Sequence, residues 1–401
     1  MLKSVRLQNF FGFQDCTINL EKGANVLVGI NGSGKSNFFK AIKLLEASSR
    51  LNSFYQLFLN EWGGFESVTN YSNKDLDPII LEFVFDGSIV ANYGFKFRED
   101  IYYKIIIAKV AGGNNYTISE KVYLLGKNGK SEFIYLDIKS GKGYLLERNN
   151  DTKKDKLVYY QDIPDREPYI GKVFDSDRYY ALSTIRNALS SIFTYEQFDT
   201  NNKYSPIRQS VLATSEVRLF SNGRNLTSLL QTFKSTNKTV LKSIVEALTS
   251  VNENYINIDY GLIGGGNIEL QLEEKGFRRN IQAINISDGT LKFLCLMAIL
   301  YNPNRGSVVC IDEPEIGLHP DMINTLYEAI EFAAETSQII ISTHSSHLLN
   351  YFDIEQVRVF EKDENNATVV NEYTKELYEN WNQKFQLGKA WREGVIGGKR
   401  W

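Results

Sequence analysis

The stretch Gly29-Ile30-Asn31-Gly32-Ser33-Gly34-Lys35-Ser36 limits what this chain can fold into more than any other. It satisfies the pattern G-x-x-x-x-G-K-[ST] and is entered from the apolar run Ala24 to Val28. It is left through Asn37 to Leu45, where Phe38, Ala41, Ile42, Leu44 and Leu45 keep helical spacing. The reading is strand, glycine-rich turn, helix. Closely spaced glycines let successive backbone N–H groups converge, and the helix that follows adds the positive end of its dipole, so phosphate oxygens find donors there. In this pattern Lys35 reaches the β- and γ-phosphates of a nucleotide and Ser36 holds Mg2+. Asn31, Gly32, Ser33, Gly34 and Asn37 complete the expected cradle.

Two further runs end in chemistry. Ser307-Val308-Val309-Cys310-Ile311 is short and apolar and closes on Asp312-Glu313, as a buried parallel strand would when it delivers carboxylates to the sheet edge beside a phosphate loop. Asp312 is then expected to steady the Mg2+ shell through water, and Glu313 to polarise the water that attacks the γ-phosphate. Ile339-Ile340-Ile341-Ser342-Thr343 has the same character and ends on His344, a candidate γ-phosphate sensor; His319 and His347 read as structural. Between these runs, Ser287-Asp288-Gly289 precedes the helical stretch Leu291 to Leu300, where a hydroxyl and a glycine N–H at a helix start can form a second anion site.

The rest of the chain supplies a frame. Val5, Leu7, Phe10, Phe13, Ile18 and Leu20 suit a hairpin ahead of the phosphate-loop strand. From Ile79 to about Lys172 the runs Ile-Ile-Leu-Glu-Phe-Val-Phe, Tyr-Gly-Phe-Lys-Phe, Tyr-Tyr-Lys-Ile-Ile-Ile and Phe-Ile-Tyr-Leu-Asp-Ile alternate with Gly, Asn and Asp turns, which predicts an antiparallel meander. Helical spacing returns at Leu182, Ile185, Leu189 and Ile192, then at Leu226 to Phe233, then at Leu241 to Leu248. None of these sustains the repeats of a coiled coil. Strands are expected at Ile268 to Leu272 and Asn280 to Ile284. The expected division is a nucleotide-binding core of residues 1–50 and 280–372, a β lobe at 78–180, a helical insertion at 181–265 and a tail at 373–401.

A net charge of −3 argues against a protein coated in basic surface, and leaves a local basic groove open. Cys16, Cys295 and Cys310 show no metal-ligand spacing and read as small buried hydrophobes. The first residues lack the apolar core of a signal peptide, and no run of about 18 apolar residues occurs, so a cytoplasmic protein without a membrane partner is expected.

Taken together, the motifs resemble the ABC-type ATPase heads of the SMC/RecF group. The resemblance rests on Val5-Arg6-Leu7-Gln8-Asn9-Phe10, the phosphate loop through Asn37, Ile286-Ser287-Asp288-Gly289-Thr290-Leu291-Lys292-Phe293 as a variant ABC signature, Ile311-Asp312-Glu313-Pro314-Glu315-Ile316-Gly317-Leu318-His319-Pro320, and Ser342-Thr343-His344-Ser345. It implies an α/β fold: an ABC ATPase head with a mixed sheet, an antiparallel β insertion and a short helical insertion. It also implies ATP and Mg2+ as cofactors. The partner it implies is a second copy, in a homodimer or higher even-numbered oligomer whose heads sandwich ATP, with Ser287 and Gly289 of one head completing the other's site. Three departures stand out. Phe11 and Gly12 occupy the place where members often carry a basic residue. No glutamine closes the segment Arg178 to Thr184, read as the Q-loop strand, which leaves Ser183 or Thr184 to stand in. Ser36 and Ser287 lie 251 positions apart without a coiled coil.

Within the group the chain looks like the short RecF-like or OLD-like ATPases of bacterial anti-phage defence, through Phe220 to Phe233 and Leu387 to Trp401. Only 57 residues follow His344, so a C-terminal Toprim nuclease is not expected. The implied function is a switch subunit that controls a separately encoded nuclease of Toprim or HNH type. The alternative is a stand-alone RecF-like repair ATPase that binds DNA through Arg208, Arg218, Arg224, Arg278, Arg279, Lys153 or Lys154. An ABC transporter subunit fits poorly, because its signature stands much closer to the phosphate loop. Trp391 and Trp401, flanking a glycine-rich basic end, mark the tail as the expected partner surface.

Overall fold

The computed structural model describes residues 1–73, 77–110, 115–126, 129, 131–149, 152–376 and 386–397. Its strands are β1 Leu2–Phe10, β2 Phe13–Asn19, β3 Ala24–Gly29, β4 Ile79–Phe85, β5 Ile101–Lys109, β6 Tyr116–Leu125, β7 Glu132–Lys139, β8 Lys142–Arg148 and β9 Asp155–Tyr160. There follow β10 Ile192–Tyr195, β11 Val211–Leu212, β12 Tyr255–Ile263, β13 Asn267–Glu274, β14 Ile281–Gln282, β15 Val308–Ile311, β16 Gln338–Ser342, β17 Val357–Lys362 and β18 Thr368–Glu372.

Six strands form the core sheet in the order β10-β15-β16-β3-β17-β18, parallel except for the last pair. Every residue of β3, β10, β15 and β16 is buried, as expected of parallel strands covered on both faces. Alternate side chains divide between two apolar clusters. Leu27, Cys310, Ile340 and Phe360 face the helix α1, Lys35–Ser48, whose Phe38, Ala41, Ile42 and Leu45 lie in the same cluster. Val26, Val28, Val309, Ile311, Ile339 and Ile341 face the other way, onto α2 Leu226–Thr236, α3 Lys238–Val251, α4 Asp288–Leu300 and α5 Met322–Ala334. From Thr290 to Leu300 every residue of α4 is buried, which explains its apolar run on all sides.

The second large sheet has eight strands, β2-β1-β4-β5-β6-β7-β8-β9, antiparallel throughout. Strand β4 alternates buried and half-buried residues, because this sheet packs one face onto α1 and its surroundings. The hairpin β1-β2, expected with the nucleotide core, pairs instead with β4 and belongs to this sheet. A smaller sheet holds β11, β13 and β12, with β14 on β13.

Four local expectations are corrected. Tyr-Gly-Phe-Lys-Phe, read as a strand, is a short 3-10 turn at Ala91–Tyr93 followed by irregular chain. Gly94 there has φ 150°, and a Cβ on it would sit 2.5 Å from Thr184 Oγ1. Arg178 to Thr184 is no strand either: the helix Tyr180–Leu189 takes it up, and the strand comes later, at β10. Ile192 fits the helical spacing by coincidence and is the first residue of that strand, which places a core strand inside the stretch expected to be helical. Cys16 is only half-buried, whereas Cys295 and Cys310 are buried. Among the described residues no helix is long and apolar enough to cross a membrane.

Candidate functional site

Strand β3 runs between β16 and β17, so its carboxyl end opens into the middle of the core sheet. The turn there needs its glycines: Gly29, Gly32 and Gly34 have φ of 159°, 79° and 115°, and a Cβ on Gly29 would meet Phe360 O at 2.4 Å. Lys35 begins α1, and its ammonium donates to Gly29 O at 2.8 Å and Ile30 O at 3.3 Å. Burial lowers its pKa to about 8, against the opposing pull of Glu313, Asp312 and Glu315. The Ser33 hydroxyl is buried with no hydrogen-bond partner.

On the neighbouring strand β16 and the next one out, β15, the predicted histidine and acids converge. Asp312 follows β15, its N–H donating to Tyr195 O at 2.9 Å and its carboxylate accepting from the Ser342 hydroxyl at the end of β16. Burial raises the Asp312 pKa. Glu313 adopts φ +47°, and its Oε1 lies 3.2 Å from His344 Nε2. Asn31, Gly32, Gly34, Lys35, Ser36 and Asn37 line a cavity of about 280 Å³ together with Glu313 and His344. The carboxylate, the imidazole and the phosphate loop therefore share one space.

The fit to a nucleotide is tested by the loop itself. An ammonium that caps its own loop's carbonyls, an orphaned Ser33 hydroxyl and an exposed Ser36 hydroxyl are groups that phosphate oxygens and their cation would satisfy. One hydroxyl and one carboxylate match the sparse ligand set of an Mg2+ that takes the rest of its oxygens from phosphates and water.

Ser287 and Gly289 stand elsewhere. Ser287 is exposed and caps α4, accepting from Thr290 N at 3.1 Å. A Cβ on Gly289 would lie 2.8 Å from Gly317 O, so this helix start packs directly on the turn that follows Glu313. Neither residue lines the cavity over the phosphate loop of its own chain.

Several residues that position the site escape a sequence reading. Lys292, inside apolar α4, donates to Glu313 O at 3.2 Å and Ile316 O at 2.5 Å, and burial lowers its pKa. Glu315 Oε1 accepts from Thr343 Oγ1 at 2.6 Å, His344 N at 3.1 Å and Ser345 N at 3.2 Å, which fixes the loop that carries His344. Gln197, by contrast, touches none of these groups: it is exposed two residues beyond β10, at the carboxyl end of the strand that pairs with β15, and outside the cavity lining. The signal for it was the short β-branched and aromatic run Ile192 to Tyr195 just ahead. Thr184, one of the two residues expected to stand in for the Q-loop glutamine, is spent locally: it accepts from Phe95 N and donates to Tyr180 O, both at 2.8 Å, and the other, Ser183, is buried beside it.

Two basic candidates are corrected as well. Arg208 is buried and donates to Thr200 O at 3.0 Å, Ala283 O at 2.7 Å and Ile286 O at 2.7 Å, and pairs with Asp288, so it holds the segment leading into α4. Arg218 lies half-buried with its guanidinium 4.0 Å over the Phe193 ring. Lys153, Lys154, Arg224, Arg278 and Arg279 are exposed. In the tail, Trp391 is buried with Leu387, Ala390 and Ile396 against the helical side of the core, so it packs the chain and is no exposed anchor; Trp401 lies outside the described residues.

A phosphate-loop strand paired in parallel with the strand that ends in Ser342-Thr343-His344, which in turn pairs in parallel with the strand that ends in Asp312-Glu313, defines a P-loop ATPase head of the SMC/RecF-like class. Residues 24–350 match the family described as "AAA domain, putative AbiEii toxin, Type IV TA system", and the chain belongs to that family. It is similar to the ATP/GTP phosphatase of Helicobacter pylori, 22% identical over 368 residues and 88% of each chain. It is also similar to the Retron Ec83 probable ATPase of Escherichia coli, 21% identical over 406 residues, 88% of this chain and 70% of the other. In fold it resembles the SmcHead bound to the C-winged helix domain of ScpA, with a TM-score of 0.56 and 12% identity over 94% of this chain and 98% of that one.

Proposed function

We propose that the chain is an ATP-driven dimeric switch, in which two copies hold MgATP between them and each phosphate-loop cavity is closed by Ser287 and Gly289 of the other copy. The observation that carries this reading is the separation within one chain: the α4 start is exposed, yet lies outside the cavity formed by the phosphate loop, Glu313 and His344. Lys35 binds the β- and γ-phosphates, Ser36 and Asp312 hold Mg2+, and Gln197 approaches from β10. Glu313 takes the proton of the attacking water while His344 senses the γ-phosphate. Contact of Gly289 with Gly317 O supports coupling between the signature of one site and the turn after the acid of the other.

The experiment is light scattering on Glu313→Gln with and without MgATP. A dimer that forms only with ATP, and is lost in Ser287→Arg, supports the reading; a Glu313→Gln chain that binds ATP yet stays monomeric overturns it.

The likeness to a retron's probable ATPase supports a place in anti-phage defence, with the ATPase controlling a separately encoded nuclease. Nuclease activity that appears only when such a partner is added, and that fails with Lys35→Ala, is the expected result. DNA cleavage by this chain alone would refute it.

A further inference from the structure

The turn between β1 and β2 carries Gly12 where a basic side chain was expected, and its surroundings show why none fits. A Cβ on Gly12 would lie 2.7 Å from Thr368 Oγ1, 2.9 Å from Lys362 Nζ and 3.5 Å from Asn37 Nδ2. The place is taken by the hairpin β17-β18, which is tied to the turn by Thr368 N donating to Gly12 O at 2.7 Å. The same threonine presses on the phosphate loop, since a Cβ on Gly34 would come within 2.6 Å of Thr368 Oγ1. An ammonium, a hydroxyl and an amide thus gather at the outer edge of the loop and the first turn of α1.

Their partners within the chain are poor. Thr368 Oγ1 is buried without a hydrogen-bond partner. Lys362 donates to a backbone carbonyl of its own hairpin, Asn366 O, at 2.9 Å. The neighbouring Asp363 spends Oδ1 on the hairpin turn, accepting from Asn365 N at 2.9 Å and Ala367 N at 2.8 Å. Burial lowers the Lys362 pKa, which Asp363 only partly opposes, so the ammonium sits where an added anion would be welcome.

We infer that Lys362 and Thr368 bind the nucleotide's α-phosphate, with the ammonium supplied by the C-terminal hairpin in place of a side chain at position 12. The inference rests on the nucleotide reading of the phosphate loop. The α-phosphate is the group in question because neither residue lines the cavity shared by Glu313 and His344, where the γ-phosphate would react, and both border, with the amide of Asn37 that follows Ser36, the point where a side chain at Gly12 would begin. On binding, Lys362 exchanges Asn366 O for a phosphate oxygen. That movement would carry the occupancy of the site into the hairpin.

The test is equilibrium binding of fluorescent ADP and ATP, as magnesium salts, to the full chain and to Lys35→Ala, Lys362→Met, Lys362→Arg and Thr368→Val. Lys362→Met keeps the aliphatic stem, and its melting temperature checks that the fold survives. A lost charge-assisted contact lowers affinity roughly tenfold to a hundredfold. The loss is expected to be equal for ADP and ATP, to be restored within a few-fold by Lys362→Arg, and to be smaller in Thr368→Val. Undiminished ADP affinity in a folded Lys362→Met, beside a weakened Lys35→Ala, overturns the inference alone. Weakened ATP with unchanged ADP overturns the α-phosphate assignment. A wild-type chain that binds neither nucleotide overturns the nucleotide reading itself.

Discussion

Raising the pH should loosen nucleotide binding by a calculable amount. Lys35 is drawn into the loop, and burial holds its pKa at about 8. A polyphosphate against the ammonium favours the charged form, so binding must take up a proton wherever the free chain has lost one. With full protonation in the complex, uptake per nucleotide is about 0.1 proton at pH 7, about 0.5 at pH 8 and about 0.9 at pH 9. Affinity should fall about tenfold between pH 7 and pH 9. Titration calorimetry of MgADP in two buffers of different ionisation heat reads the uptake directly. ADP avoids hydrolysis, and the second ionisation of phosphate, with a pKa of ~6, is essentially complete at pH 8 and 9. Because Glu313 raises the Lys35 pKa, Glu313→Gln should lower it and shift the profile to lower pH. Buffer-independent heats at pH 8 and 9, with a flat affinity, would refute the argument.

Other outcomes can be checked on the same protein. Lys35→Ala should abolish ATP binding, while Glu313→Gln should keep it and reduce kcat by about 10²- to 10⁴-fold in a steady-state phosphate-release assay. Glu315→Ala leaves Thr343 Oγ1, His344 N and Ser345 N without their acceptor; a stability loss of about 2–4 kcal/mol in urea, with a fall in kcat, is expected. Arg208→Met strips the buried carbonyls of Thr200, Ala283 and Ile286 of their donor, and should cost about 3–5 kcal/mol. In light scattering it should also weaken ATP-dependent dimerisation more than ATP affinity.

What was legible in the sequence had a local cause. Glycines 29, 32 and 34 are written into the chain because only they take the dihedral angles of that turn, and β15 and β16 read as buried strands because both faces are covered. What was hidden depends on distant partners. Ile192 matches the period of the preceding helix, and only its parallel pairing with Val308 makes it a strand. Arg208 and an exposed DNA-binding arginine are spelled alike; carbonyls 75 and 78 residues away distinguish them. The hairpin β1-β2 carries no mark of the sheet it joins, because β4, some 70 positions on, decides it.

The central position of β3 sets an order of events. Its neighbours on both sides, β16 and β17, begin more than 300 residues downstream, so the strand that leads into the phosphate loop has no hydrogen-bonded partner in the core sheet until the last portion of these strands has left the ribosome. Such distant pairing makes folding slow and leaves the nascent strand exposed meanwhile. A chain cut short before β16 and β17 therefore lacks the pairing that holds the phosphate loop, and competence to bind nucleotide is expected only once both strands have been made.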